Sequence, residues 1–156
     1  MLVNISKTPK KIKTQWFGPY VSNIFDEIEF IEKIGIGKNS RVYSCRLREH
    51  DDPNEVFSVK IFEKKFFSDD IKKNQIKMEI NILSFLDHKN IVRFENLVED
   101  EERIYIVMDY LKNYVDLKSY TTKSSKKLHS NKVILIAQQV LDAISYCHGV
   151  GIYHRD

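Results

Sequence analysis

Cysteine is scarce in this 156-residue sequence: Cys45 and Cys147 are the only two, and they form no Cys-x-x-Cys pair. That spacing excludes the common zinc and dithiol redox motifs, and two separate thiols fit a reducing compartment. Three prolines and five glycines are too few for a collagen-like or a Pro/Gly-rich disordered chain. No apolar run approaches the roughly 18 residues that span a bilayer. The first residues, MLVNISKTPKKIK, lack the apolar core of a secretory signal. The expectation is a cytoplasmic or nuclear protein without a membrane partner. Charge of one sign is also missing. Twenty-five basic side chains face 22 acidic ones, a net of +3, too little to call for a nucleic-acid partner. What is present is a globular composition, 42% hydrophobic and 30% charged, at a length that can bury one ordinary core.

Residues 1–25 read as a loose basic leader, with Lys7, Lys10, Lys11 and Lys13 on a solvated terminus. Its aromatics Trp16, Phe17 and Tyr20 could pin it to a surface. From Phe30 the pattern changes. FIEKIGIG alternates Phe30, Glu32 and Ile34 against Ile31, Lys33 and Gly35, the period of a strand. SRVYSCRLR and VFSVKIF read as two further strands, separated by the polar turn EHDDPNE. Ser68, followed by Asp69 and Asp70, reads as a helix N-cap with acids in the first turn. Ile76, Ile80, Leu83 and Leu86 then keep the spacing of a buried helical stripe that ends at His88–Asn90. IVRFENLVED and RIYIVMDY read as an antiparallel hairpin around the acidic turn at Glu101. A short helix is expected after Asp116. A long one follows, with Val133, Ile136, Ala137, Val140, Ile144 and Cys147 on one face and Gly149 and Gly151 at its end.

Chemistry concentrates in three places. GIGKNSRV, residues 35–42, is a glycine-rich turn between strands. Glycine at 35 and 37 is expected to allow positive φ and a close backbone approach to a ligand, with N–H groups over phosphate oxygens. The turn is not a Walker A loop, for G-x-x-x-x-G-K-[ST] is absent. It does not open a helix as a dinucleotide-binding fingerprint must. Lys60 sits at the end of an apolar strand, and Glu79 lies 19 residues on, among the apolar positions of the helix. A carboxylate there needs a cationic partner, and Lys60 is the obvious one. The pair would be a fixed positive charge able to grip nucleotide phosphates.

In order and spacing these stretches resemble the first half of a eukaryotic protein kinase domain, whose signature set is a known template. IGIGKNSRV resembles the glycine-rich loop, with Ser40 for the third glycine. FSVK resembles V-A-I-K, with Ser58 in the alanine position. MEINIL resembles the glutamate-bearing stretch of the helix called αC, and LDHKNIV the turn after it. YIVMDYL resembles the last small-lobe strand and hinge, and AISYCHGVGIYHRD a helix running into the catalytic loop. The resemblance covers roughly residues 30–156; the SYCHGVGIYHRD segment is similar to the calcium/calmodulin-dependent and AMP-activated kinase groups, which suggests Ser/Thr specificity.

The fold it implies is α+β: a five-stranded antiparallel sheet with helix αC as a small lobe over 26–108, then a hinge and the first large-lobe helices over 109–156. The activity it implies is transfer of the ATP γ-phosphoryl group to a protein hydroxyl. Ile34 and Val42 would sandwich adenine, with Met108 as gatekeeper and the backbone of Asp109 and Leu111 on its edge. Gly35, Ile36, Gly37, Lys38, Asn39 and Ser40 would cover the phosphates. Lys60 would contact the α- and β-phosphates, oriented by Glu79. Asp116 would contact ribose, although an extra residue precedes it. Asp156 would accept or orient the substrate hydroxyl proton. His154 is expected to be structural, and Arg155 would meet a phosphorylated activation segment.

The magnesium expected of a complete kinase has its ligands in the Asn and D-F-G motifs, which do not occur in this sequence. The sequence therefore reads as a truncated kinase, whether a piece of a gene, a pseudogene product or a deliberate truncation. Its last helix is expected to be loosely held or to associate with a partner through its bare face. The competing reading is a non-catalytic nucleotide-binding or regulatory module.

Overall fold

The structure, a computed structural model, describes residues 23–37, 39–52, 54–67, 69–123 and 128–154. Its contacts group these into two units. A sheet unit holds residues 23–86 and 92–110, and a helical unit holds 87–91 and 111–154. The segment 87–91, which the sequence placed in the span 26–108, thus groups with the later helices.

The sheet unit contains β1 (Ile28–Ile36), β2 (Ser40–Leu47), β3 (Phe57–Glu63), β4 (Phe94–Glu99) and β5 (Arg103–Asp109), with helix α1 (Asp70–Phe85) between β3 and β4. The strands form one five-stranded sheet in the order β1-β2-β3-β5-β4, antiparallel at every pair. This is the α+β small-lobe architecture that the resemblance implied. The β1–β2 and β4–β5 pairs need only short turns. At the latter turn the Asp100 carboxylate accepts the backbone N–H groups of Glu102 and Arg103. β3 runs three residues beyond Lys60, which therefore lies mid-strand rather than at its end.

Side chains alternate across a strand, so register assigns the two faces. Val42, Lys60 and Ile106 stand in line across β2, β3 and β5, one residue out of step with Tyr43, Val59 and Val107. The Lys60 face packs Phe62, Leu97, Ile104 and Ile106 against Ile76 and Ile80 of α1 and against Phe67. The opposite face buries Cys45, Phe57, Val59, Val98, Tyr105 and Val107 with Ile28 and with Ile24 from a 3-10 turn, Ile24–Asp26. Burial lifts the Cys45 thiol to about 12, so it stays protonated and unreactive.

The cap of α1 is Asp69. Its backbone is extended, and its carboxylate accepts the Lys72 N–H at 2.7 Å. The sequence pointed to Ser68, which lies outside the described residues. The two neighbours both carry a suitable acceptor, and the residue that takes the role fixes where the helix starts. At the far end α1 stops at Phe85 and Leu86 is already extended, so the helix closes before the expected His88–Asn90. Leu86 drops out of the helical stripe, leaving Ile76 and Ile80 buried and Leu83 partly so.

The helical unit holds α2 (Leu117–Lys123) and α3 (Ser130–Gly149). The Asp116 carboxylate accepts the Ser119 N–H at 2.8 Å and so starts α2. α3 ends because Gly151 turns left-handed, at φ 77°. Its N–H then reaches the His148 carbonyl, and the Ile152 N–H reaches Cys147. That pairing closes the last turn on a glycine that carries no Cβ to clash. The turn 87–91 is clasped to α3. Tyr146 stacks on His88 at 5.1 Å and its hydroxyl accepts the Asp87 N–H, while Asp142 meets Lys89, His88 and Asn90. No residue of α3 is buried. Val133, Val140 and Ile144 of the expected apolar face are all open to solvent. No described helix is long and apolar enough to cross a membrane.

Candidate functional site

The site begins with Lys60. β3 is a central strand, so its residues are fixed by ladders on both sides, with Val42 on one and Ile106 on the other. Helix α1 is held over the same face by Ile76 and Ile80, which brings Glu79 on the next turn to the lysine. The Lys60 ammonium donates to Glu79 Oε1 at 2.8 Å and lies 4.8 Å from the centre of the Phe62 ring. The side chains are 29% and 41% exposed. An ion pair that wet contributes only about 0–1 kcal/mol to stability. Its consequence is directional: a long flexible cation is held at one place on an apolar face. The sequence missed Phe62 as a second neighbour of the ammonium. Its position two residues on, and so on the same face, was the available signal.

The β1–β2 turn stands at the end of the strand pair that carries Val42. The Gly37 N–H donates to the Ser40 carbonyl at 2.8 Å. Neither Gly35 nor Gly37 takes positive φ, which corrects the expected reason for glycine there. The reason is room. A Cβ on Gly37 would lie 2.6 Å from the Ser40 hydroxyl oxygen, whereas one on Gly35 would make ordinary contact with Val42 at 3.5 Å. Gly35 and Val42 are register partners beside a bulge between Lys33 and Gly35. Ile34 sits at that bulge and Ile36 one residue past it, both exposed, as is Asn39. Lys38 lies outside the described residues.

Met108 and Asp109 end β5. Met108 is partly buried against the α1 core. Ser58, its register partner, is buried, and its hydroxyl donates to the Asp109 carbonyl at 3.0 Å and more distantly, at 3.4 Å, to that of Met108. The hydroxyl that the sequence set against the adenine edge therefore has internal acceptors. The Asp109 N–H is engaged with the Arg93 carbonyl, and its carboxylate with the Arg93 side chain. Of the backbone groups of Asp109, the carbonyl is the one that can serve a ligand.

The structure thus gathers Val42, Lys60, Glu79, Met108 and Asp109 in the sheet unit, with the 35–40 turn at the end of the same strands. Leu111 and Asp116 belong to the helical unit. Leu111 is exposed. Asp116 is committed to capping α2, and the bonds from Ser119 hold its carboxyl below the usual range. Asp156 and Arg155 lie outside the described residues, and His154 is exposed.

Against that geometry, residues 28–156 match the family model described as protein kinase domain. The chain is similar to Aurora kinase C of Mus musculus, at 30% identity over 84% of this chain and 46% of that protein. It is also similar to calcium/calmodulin-dependent protein kinase type 1 of Macrobrachium nipponense, at 31% over 96% of this chain and 41% of that protein. A third relative is CBL-interacting protein kinase 21 of Oryza sativa subsp. japonica, at 33% over 71% of this chain and 21% of that protein. The chain spans less than half the length of each of these relatives.

Proposed function

Since the chain belongs to the protein kinase domain family, we propose that the Lys60 face of its sheet binds ATP, and that the protein it forms part of transfers the γ-phosphoryl group to Ser or Thr hydroxyls of other proteins. The Lys60–Glu79 contact at 2.8 Å carries this reading. Phosphoryl transfer asks the protein mainly for positioning and for positive charge where the phosphate oxygens lie. A lysine held by a helical carboxylate on an apolar face supplies both.

In this reading the Lys60 ammonium meets the α- and β-phosphate oxygens and the 35–40 turn covers them. Val42 and Ile34 flank the base. The Asp109 carbonyl, already steadied by Ser58, accepts the adenine amino proton. Leu111 and Asp116 are assigned to base and ribose by the resemblance alone. Asp116 has one carboxylate oxygen in use as a cap, which makes it the weakest of these assignments. Asp156 accepts or orients the proton of the substrate hydroxyl. Magnesium, where bound with ATP, supplies further charge neutralisation at the phosphates, and no described residue is assigned to it. The exposed face of α3 is where further polypeptide, of this protein or of a partner, packs. No observation favours the non-catalytic reading over this one.

Titration calorimetry with ATP tests the core of the proposal. Lys60→Met removes one charge-assisted contact, about 1.5–3 kcal/mol, so affinity should fall by about 10- to 100-fold. Glu79→Gln should weaken binding less, because the ammonium remains. ATP bound equally well by Lys60→Met would overturn the assignment of this face.

A further inference from the structure

The face of the sheet away from Lys60 carries a groove of about 520 Å³. Register builds it. Arg41, Ile61 and Tyr105 stand in line across β2, β3 and β5, one residue out of step with Val42, Lys60 and Ile106, and Glu63 stands opposite Arg103 two residues further on. Side chains two apart share a face, so all five line the groove. It is polarised along its length. At one end Phe25, Phe30 and Tyr43 pack edge to face, with successive ring centres 5.9 and 5.7 Å apart, beside Ile24. At the other end Arg41, Glu63 and Arg103 stand with Gly37 and Ser40 of the glycine-rich turn.

The charges at that end do not cancel within the lining, where two guanidinium groups face one carboxylate. Glu63 is shared. It meets Arg41 at 3.5 Å through one oxygen and Lys65 through the other. The Lys65 bond, followed by the charges of Lys65, Arg41 and Arg103, holds its carboxyl below the ordinary range. Arg103 has further acids outside the lining: Glu102 at 3.5 Å, and Asp100, whose carboxylate also takes the Tyr105 hydroxyl proton. Arg41 is thus the cation with charge left to offer, on a side chain 61% exposed. We propose that the groove docks an extended, acidic and aromatic peptide segment of a partner protein, with its rings against Phe30 and Tyr43 and a carboxylate at Arg41. Shape favours a chain over a compact ligand. Phe25, Phe66 and Ile36 of the wall are all exposed, whereas a small-molecule site buries most of its ligand. From Phe30 to Ile36, β1 runs beside the groove for at most about 20 Å, the span of about six extended residues. Aromatic side chains gain contact with an aromatic wall, and the single anion fixes the register of the segment. The inference stands apart from the nucleotide reading, because it concerns the opposite face and can be examined with no nucleotide present.

The probes are the peptide acetyl-Trp-Ser-Phe-Ser-Glu-Ser-amide and its counterpart with Gln for Glu. In an extended chain their two rings and the acid, or its amide, share one face. Each is titrated into the isotope-labelled intact chain and followed by amide NMR. Both should move the signals of Tyr43, Ile61 and Tyr105, and the Glu peptide should bind about two- to fivefold more tightly, the range of an exposed ion pair. That gap should narrow with added salt. It should close in Arg41→Gln, a substitution at an exposed side chain, while the affinity of the Gln peptide stays as it was. Equal affinities in the unaltered chain overturn the proposal, as does a gap that survives Arg41→Gln. Signals that do not move, or that move only on the exposed apolar side of α3, overturn it as well. Groove signals that shift with protein concentration in the absence of peptide would assign the groove to a second copy and also overturn it.

Discussion

The sheet unit and helix α3 use similar residues to opposite effect. Ile104, Ile106, Val59 and Val107 are fully buried between the sheet and its coverings, whereas Ile134, Leu135, Val140 and Leu141 of α3 are all more than half exposed. A sheet with helix α1 on one side and the turn that carries Ile24 on the other removes apolar surface from water by itself. A single 20-residue helix cannot, and isolated helices of that length are marginal in water. Apolar content alone is thus a poor guide to where stability resides. What matters is whether the chain supplies a second surface.

The largest test of that contrast is one substitution made in both places. Ile106→Ala, at a side chain with 0% exposure, should cost about 2–5 kcal/mol. Ile134→Ala, at 54% exposure, should stay within about 0.5 kcal/mol. Urea unfolding read by amide exchange assigned to each region checks both. Equal costs would show α3 to be as well packed as the sheet.

A smaller effect separates what holds α3 from what holds the strands. The clasp on the turn 87–91 is polar and aromatic, and Tyr146 contributes both stacking and a hydroxyl. Tyr146→Phe keeps the ring and leaves the Asp87 N–H without its acceptor. The expected loss is about 0.5–1.5 kcal/mol, confined to exchange of the helical unit. A matching change in the strands would mean that the two regions unfold as one.

Such contacts mark the limit of what the sequence made legible. Strand period, helix spacing and the lysine–glutamate pair are local or family-patterned, and β1 to β5, α1 and Lys60–Glu79 followed from them. The clasp joins residues more than 50 positions apart, and nothing at Asp87 or His88 names Tyr146 as a partner. Ser58 was visible as a departure from alanine, but its bond to the Asp109 carbonyl depends on the β3–β5 register. Glycine at 37 was read as a place for positive φ and close approach to a ligand, whereas its reason is the Ser40 hydroxyl that a Cβ would crowd. Between Ser68 and Asp69 the sequence offered two capping acceptors in succession, and a shift of one residue separates them.

The Lys60–Glu79 pair should show almost no stability effect despite its place in the site. Both side chains are partly hydrated, so Glu79→Gln is expected to move the unfolding free energy by less than about 0.5–1 kcal/mol. The same variant weakens ATP binding in the proposed reading. A large stability loss with unchanged ATP affinity would make the pair a structural strut and not a ligand-facing one.

The smallest effect belongs to pH and distinguishes the two capped helices. The Asp69 carboxyl is held below its ordinary value of 3.8, first by the Lys72 backbone N–H and then by the Lys72 side chain. A depressed folded value means that the carboxylate stabilises the start of α1 above the unfolded value. That contribution fades as the pH drops below 3.8 and through the lower folded value. Asp116 is depressed in the same direction by Ser119, so α2 should fray in a similar window. The consequences differ, because α1 carries Glu79 and α2 carries no member of the sheet site. Asp69→Asn keeps an N-cap oxygen but removes the titration. The Lys72 amide proton, followed by NMR while the pH is lowered, should therefore titrate in the unaltered chain and stay flat in Asp69→Asn. If it titrates equally in both, another carboxylate governs the start of α1. Asp70, which meets Lys73 at 3.7 Å in the same turn, is the first to examine.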